Sequence, residues 1–336
     1  MEVRSVHATC PVWTGISRSE EKGIAKMERR EFLKGAALLG AAGLVPAVDA
    51  AKAPSVERMF SYDGKVVRIP FPGVRGQLRV WVIGDTHFAL RDARDDAYAD
   101  YYKRMGQWCP KKEPFEKMLA RAKAEKPDML LLVGDIISFP TLANVEYVKA
   151  QLDACGVPWF YIAGNHDWHF EGIPGSDLAQ RAEWTKKRLT PLYQGADPLM
   201  SSRVVKGVRI VAIDNSAYHV LPEQVAFWKA EAAKGDPIAL MMHIPLWHEG
   251  WNVFTCGNPQ WGAANDPYWE IERRERWAEK PMPSTFEFRD AVLETPNLVG
   301  VFTGHEHCLQ FAHDRGKNFF GTPSNRTGLF LDVRIG

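Results

Sequence analysis

Short apolar runs alternate with helical stretches along most of the chain, and polar residues gather where the apolar runs stop. Lys65–Ile69 and Leu78–Val82 open the series as β-rich runs punctuated by glycine and proline. The pattern then predicts a helix over Pro114–Lys126, a strand over Met129–Val133, a helix over Asn144–Ala154, a strand over Pro158–Ala163 and a helix over Asp177–Arg188. Strands follow at 208–213, 238–242 and 298–302, with helices near 222–234 and 284–294, and Gly328–Ile335 reads as an edge or closing strand. Alternation of this kind means α/β layering. Continuous apolar strands are expected where both faces of a sheet are covered, and open α/β sheets place ligands past the carboxyl ends of their strands. Residues 51–336 therefore read as a single domain, without internal repeats, carrying two inserted aromatic-rich loops at 88–112 and 244–283.

Residues 1–50 read differently. Arg29-Arg30 precedes an uncharged, small-residue run from Gly35 to Val48, which ends in Val48-Asp49-Ala50. This resembles a twin-arginine export signal, with Met27 as a candidate true start. The run is shorter than the ~20 apolar residues that span a bilayer, so no stable membrane insertion is expected. The expectation is export by the twin-arginine machinery to the periplasm or beyond, a route that carries folded, often cofactor-loaded proteins.

Composition narrows the partners. With 46% hydrophobic and 25% charged residues, the 336-residue chain is globular rather than disordered. A formal net charge of +1 offers no basic stripe for long nucleic acid. Beyond the signal, Cys109, Cys155, Cys256 and Cys308 are too few for a disulfide scaffold, and their pairing is left open.

Five segments place metal-ligand side chains at or just past predicted strand ends: Gly84-Asp85-Thr86-His87, Gly134-Asp135, Gly164-Asn165-His166-Asp167, Met242-His243-Ile244-Pro245 and Gly304-His305-Glu306-His307. A lone strand-end aspartate is ordinarily a cap or turn former. Five in order are something else. Two carboxylates, an amide and four imidazoles form a mixed oxygen and nitrogen set, suited to Mn, Fe, Zn, Ni or Co. Seven ligands exceed one open catalytic metal and suffice for two, and paired metals suit in-line displacement at phosphorus. The glycines are expected to give sharp turns or close approach beside the metals.

These segments resemble the pattern of the calcineurin-like metallophosphoesterase superfamily over roughly residues 79–308. The resemblance implies a four-layer α/β-β/α sandwich with a dimetal site at strand C-terminal ends, and a metal-dependent phosphoric ester hydrolase. It implies Asp85, His87 and His307 on the first metal, Asn165, His243 and His305 on the second, and Asp135 bridging both. It makes His166 the catalytic histidine that assists the leaving group, with Asp167 orienting its imidazole, and a hydroxide held by the metals the nucleophile. Ser138 stands where purple acid phosphatases have their metal-binding tyrosine, and His87 where they have glycine; both disfavour that branch. Asp85-Thr86-His87 looks more like bacterial cyclic-nucleotide phosphodiesterases.

The substrate expectation is a small phosphorylated molecule; these motifs do not separate monoester from diester, the lean is to a phosphodiesterase or a broad phosphohydrolase, and the alternatives are a phosphomonoesterase of the same fold and a non-catalytic metal-binding module. Trp247, Trp251, Trp261, Trp269 and Trp277 between His243 and His305 suggest a cap for an aromatic or sugar leaving group, or a small core of the cap's own. Arg91 and Arg94 with Asp92, Asp95 and Asp96 read as a solvated charge cluster. Glu306 reads as a spacer, and His169, His219 and His248 as surface or structural residues. His313, past the last motif, is assigned no role.

Overall fold

The structure, a computed structural model, describes residues 60–74, 76–102, 109–170, 172–246 and 282–336. The segment read as an export signal, residues 103–108 of the first aromatic loop and residues 247–281 of the second lie outside the described residues, and the proposed tryptophan cap with them.

Two six-stranded sheets carry the fold. The first contains β1 (Ser61–Tyr62), β2 (Val66–Ile69), β3 (Leu78–Ile83), β4 (Met129–Val133), β5 (Trp159–Ile162) and β12 (Leu331–Ile335), in the order β1-β2-β12-β3-β4-β5. The second contains β6 (Met200–Val205), β7 (Val208–Ile213), β8 (Ile238–Met241), β9 (Leu298–Thr303), β10 (Gln310–Asp314) and β11 (Lys317–Gly321), in the order β10-β11-β9-β8-β7-β6. β3, β4 and β5 are parallel, as are β7, β8, β9 and β11, so their carboxyl ends collect along one rim of each sheet. The helices are α1 (Ala99–Tyr102), α2 (Lys112–Glu125), α3 (Leu142–Cys155), α4 (Asp177–Trp184), α5 (Thr190–Tyr193), α6 (Pro222–Ala232) and α7 (Pro283–Glu294).

Side-chain alternation along the strands sorts three apolar layers. Val80, Val82, Leu131 and Val133 face Ile210, Ala212, Met241 and Phe302 between the sheets. Trp81, Ile83, Leu130 and Leu132 turn the other way, onto Phe115 and Met118 of α2 and Val148 and Leu152 of α3. Val211, Leu240 and Val301 turn outward onto Trp228 of α6 and Phe288 and Val292 of α7. The result is the expected four-layer α/β-β/α sandwich. Burial on both faces explains why β4 reads Met-Leu-Leu-Leu-Val without a polar position.

Helix ends follow local chemistry. Thr141 caps α3 by accepting the Asn144 N–H, and α3 stops at Gly156, whose φ of 73° is the left-handed conformation glycine adopts freely. Ser176 caps α4 by accepting the Ala179 N–H. Beyond Trp184 the chain continues through a π-type turn at Thr185–Leu189 into α5, so the predicted helix ending at Arg188 runs further.

Two sequence expectations are corrected. Of the two readings of the C-terminal strand, edge or closing strand, the edge fails: β12 pairs β2 in parallel and β3 antiparallel, inside the first sheet. Asp95 does not belong to a solvated cluster; it is fully buried, accepts the Leu142 N–H at 2.8 Å and pairs with Arg188 at 3.0 Å. Arg94 does lie in an exposed ion-pair group, with Asp92 and Glu146. The sequence pattern leaves out β6 and β10, whose half-buried residues lack a strong apolar run, and β11, which is mostly buried but has only Phe319 and Phe320 as large apolar residues. Among the described residues no helix is long and apolar enough to cross a membrane.

Phe320 is 1% exposed between the sheets and stacks on Phe302 with ring centroids 5.1 Å apart. A side chain at Gly300 would meet its ring at 2.9 Å, so this layer has no slack. Phe320→Ala is therefore expected to lower the unfolding free energy by about 3–5 kcal/mol in urea titrations. A loss below about 1 kcal/mol would show that the intersheet layer is loosely packed.

Candidate metal centre

The site is built on the strand ends of both sheets. Asp85 and His87 follow β3, Asp135 follows β4, Asn165 and His166 follow β5, His243 follows β8, and His305 and His307 follow β9. Asp85, His87, Asp135, Asn165 and His243 are buried, whereas His166, His305 and His307 retain some exposure. The cluster therefore opens to solvent on the side of these three histidines.

The backbone here is unusual. Asp85, His87, Asp135, His305 and His307 have φ between 52° and 73°, a left-handed region that non-glycine residues rarely occupy. Each costs energy unless its surroundings over-determine it, and here they do. The Asp85 N–H donates to the Gly134 carbonyl at 3.0 Å and the His87 N–H to the Asp135 carbonyl at 2.9 Å. The Asp85 carboxylate accepts the His305 N–H at 2.9 Å, and the Asp135 carboxylate accepts the His166 N–H at 2.8 Å.

The glycines serve closeness more than turning. A Cβ on Gly134 would meet the His243 ring nitrogen at 2.6 Å, and one on Gly304 would meet the Asp85 carboxylate at 2.7 Å. Gly164 would run into Asp135 in the same way. Only Gly134 of these three also has positive φ, at 88°.

The ligand atoms meet in two groups. His87 Nε2 and His307 Nε2 are 2.9 Å apart, and His307 Nε2 is 3.4 Å from the Asp85 carboxylate. Asn165 Oδ1 lies 3.0 Å from His305 Nδ1 and 3.2 Å from His243 Nε2, with His243 Nε2 also 3.2 Å from the Asp135 carboxylate. Asp135 reaches the other group as well, 3.6 Å from His87 Nε2. Candidate metal-holding sets are thus Asp85–His87–His307 and Asp135–His243–His305, with Asp135 also grouped with His87 and His166.

The residues fit metal ions on chemical grounds. Burial drives the His87 imidazole well below its ordinary pKa, so it offers a lone pair rather than a proton. His243 directs Nδ1 at the Val133 carbonyl, 2.8 Å away, which leaves Nε2 facing the cluster. Burial opposes charge on Asp135, yet His243, His166 and His87 hold its carboxyl well below the usual range. A lone pair and a carboxylate aimed at shared points call for positive charge, and against the effect of burial the Asp135 carboxylate lifts the His243 imidazole to about 9.

His166 is within reach of both His87 and Asp135, and its ring packs edge-on to His87 at 5.0 Å. The Asp167 carboxylate accepts the backbone N–H groups of Gly164, Asp135 and Ile137 at 2.6, 2.8 and 2.9 Å, so it joins the ends of β4 and β5. Burial pushes its pKa up to about 7, with the Asp135 carboxylate adding to the rise. His169 is buried and pairs through Nδ1 with the Asn165 carbonyl at 2.5 Å, a structural placement. Glu306 is buried and receives the Gln310 amide.

Sequence reasoning missed the residues that steady this rim. Ser324 Oγ donates to the Asp85 carbonyl at 2.7 Å, and Thr86 Oγ1 donates to Asn325 Oδ1 at 3.2 Å. Asn215, past the end of β7, bonds the His243–Ile244 backbone. The signal was present in one case: Asp214-Asn215-Ser216 is a polar triplet at a strand end, like the five motifs.

The chain is similar to several known proteins. A probable cyclic nucleotide phosphodiesterase of Psychrobacter arcticus is 23% identical over 274 residues, covering 79% of this chain and 85% of the relative. Among solved structures, a dimetal phosphatase from Danio rerio aligns with a TM-score of 0.44 at 14% identity, over 73% of this chain and 87% of that one. A purple acid phosphatase from yellow lupin seeds aligns with a TM-score of 0.46 at 15% identity, over 80% of this chain and 47% of that one. The family model for calcineurin-like phosphoesterases matches residues 78–309, a span that holds every ligand described above, and the chain belongs to that family of phosphoric ester hydrolases.

Proposed function

We propose that this enzyme hydrolyses small phosphodiesters at a dinuclear metal centre. The observation that carries the reading is the meeting of two ligand groups on one carboxylate, Asp135. Asp85, His87 and His307 would hold one ion, Asn165, His243 and His305 the other, and Asp135 both. Two ions of manganese, iron, zinc, nickel or cobalt would supply positive charge for phosphate oxygens and water activation near neutral pH.

The chain's own groups complete the reaction. His166, on the open side of the cluster, would hold a proton for the departing oxygen. Its backbone is tied to Asp135 and the preceding turn to Asp167, so the imidazole is positioned by the same groups that position the ligands. The preference for diesters over monoesters is supported by the likeness to a probable cyclic nucleotide phosphodiesterase. We further propose, from Arg29-Arg30 and the run that follows, that the protein is exported by the twin-arginine machinery to the periplasm or beyond.

With Mn²⁺ supplied, bis-p-nitrophenyl phosphate is expected to turn over faster than p-nitrophenyl phosphate. The reverse order would replace the diester reading by a phosphomonoesterase. Asp135→Ala is expected to lose metal and activity together, measured by bound-metal analysis and turnover. His166→Ala should keep both metals and lose about 10²–10⁴-fold in kcat, the usual worth of a positioned proton donor. Loss of metal from that variant would make His166 a ligand instead.

A further inference from the structure

Asp214, Asn215 and Ser216, directly after β7, are all buried. Asn215 Oδ1 accepts the His243 N–H at 3.2 Å and the Ile244 N–H at 3.1 Å, and its Nδ2 donates to the Ile244 carbonyl at 2.8 Å. One amide thus satisfies three backbone groups at the point where the chain leaves β8. The other end of the His243 ring is fixed by Val133, at 2.8 Å. With backbone and Nδ1 both held, His243 Nε2 has one direction left, toward Asn165 and Asp135.

The same segment reaches the neighbouring ligand loop. Trp168 Nε1 donates to Ser216 Oγ at 2.9 Å, and the Ser216 N–H donates to Asp214 at 2.8 Å. Asp214 in turn accepts Arg181 Nε of α4 at 2.7 Å, both side chains being buried. The segment after β7 therefore spans from the Asn165–Trp168 turn to the His243 turn without contributing a ligand itself.

We propose that Asn215 is a positioning residue for the second metal position, setting the reach of His243 through its backbone. This rests on the dimetal reading above. It assigns the His243 ligand two anchors from different sheets, Asn215 in the second and Val133 in the first. Groups that orient a ligand commonly change metal affinity by about 10–100-fold when removed.

The test is Mn²⁺ titration of the full chain, followed by electron paramagnetic resonance, with bis-p-nitrophenyl phosphate kinetics alongside. Wild type is expected to bind two ions with a spin-coupled signal; a single ion would overturn the dimetal reading and this inference with it. Asn215→Ala is expected to fill the first position as wild type does and to bind the second ion about 10–100-fold more weakly, with the coupled signal lost at matched Mn²⁺. Gln224→Ala serves as control. Gln224 bonds Leu221 N–H and the Leu199 and Asp214 carbonyls at 2.7, 2.8 and 2.7 Å, so it steadies the same segment without touching His243. It is expected to leave the second affinity within about threefold of wild type. Equal weakening in both variants would mean that general loosening is responsible and would overturn the proposal. Unchanged second-ion affinity in folded Asn215→Ala would overturn it too. Should that protein not fold, Asn215→Asp, which keeps both acceptor contacts, is expected to stay within about tenfold of wild type, and a greater loss overturns the proposal.

Discussion

The site depends on two sheet ends coming within a hydrogen bond of each other. The His243 ring, from the second sheet, donates through Nδ1 to the Val133 carbonyl of the first, 2.8 Å away. The His305 N–H, again from the second sheet, reaches the Asp85 carboxylate of the first at 2.9 Å. Such contacts require the strand ends to be stripped of side chains. Gly134, Gly164 and Gly304 each occupy a place where a Cβ would collide with a ligand residue or its neighbour. The intersheet layer, with Val133, Met241 and Phe302 fully buried, holds the sheets at the separation these contacts need. Packing and chemistry are thus one constraint: a sheet displaced by an ångström would separate the ligand groups as well as open the core.

Ligand placement has a conformational cost, at about 1–3 kcal/mol for each strained residue. Asp85, His87, Asp135, His305 and His307 all carry left-handed backbone. The fold offsets this with buried backbone bonds that run between loops rather than within them. Asp167 shows the principle. A carboxylate with three N–H partners from two strand ends fixes Gly164, Asp135 and Ile137 together, and charge-assisted bonds of this kind are stronger than neutral ones. Its raised pKa, to about 7, reflects burial beside the Asp135 carboxylate, and that burial is a consequence of placing a structural acid directly behind a candidate metal ligand.

The part of this legible in the sequence was the part written at strand ends. Asp85, His87, Asp135, Asn165, His243, His305 and His307 follow apolar runs that only a strand buried on both faces explains, so their convergence followed from layering. The resemblance then supplied their grouping. What escaped was everything set by tertiary partners. Asp95 looks like its acidic neighbours in sequence, and only Arg188 and the Leu142 N–H, from distant segments, make it a buried residue. Asp167 stands next to His166 in sequence, and only the folded turn shows its oxygens joining two strand ends. The interior place of β12 follows from pairings with β2 and β3 that lie far away in the chain. Local pattern carries no information about such partners.

The two ligand groups differ in a way that bears on the reaction. Asp85 and His87 come from one strand end of the first sheet, and only His307 is added from the second. The other group draws Asn165 from the first sheet and His243 and His305 from the second, so its shape follows the relation between sheets more closely. The exposed members, His166, His305 and His307, all lie on the open side, while Asp135 and His243 are fully enclosed. A phosphate entering from the open side would therefore meet imidazoles first and find the carboxylates already committed to the ions behind them. That order suits an anionic substrate, because the negative groups that would bind the metals are the ones farthest from its approach.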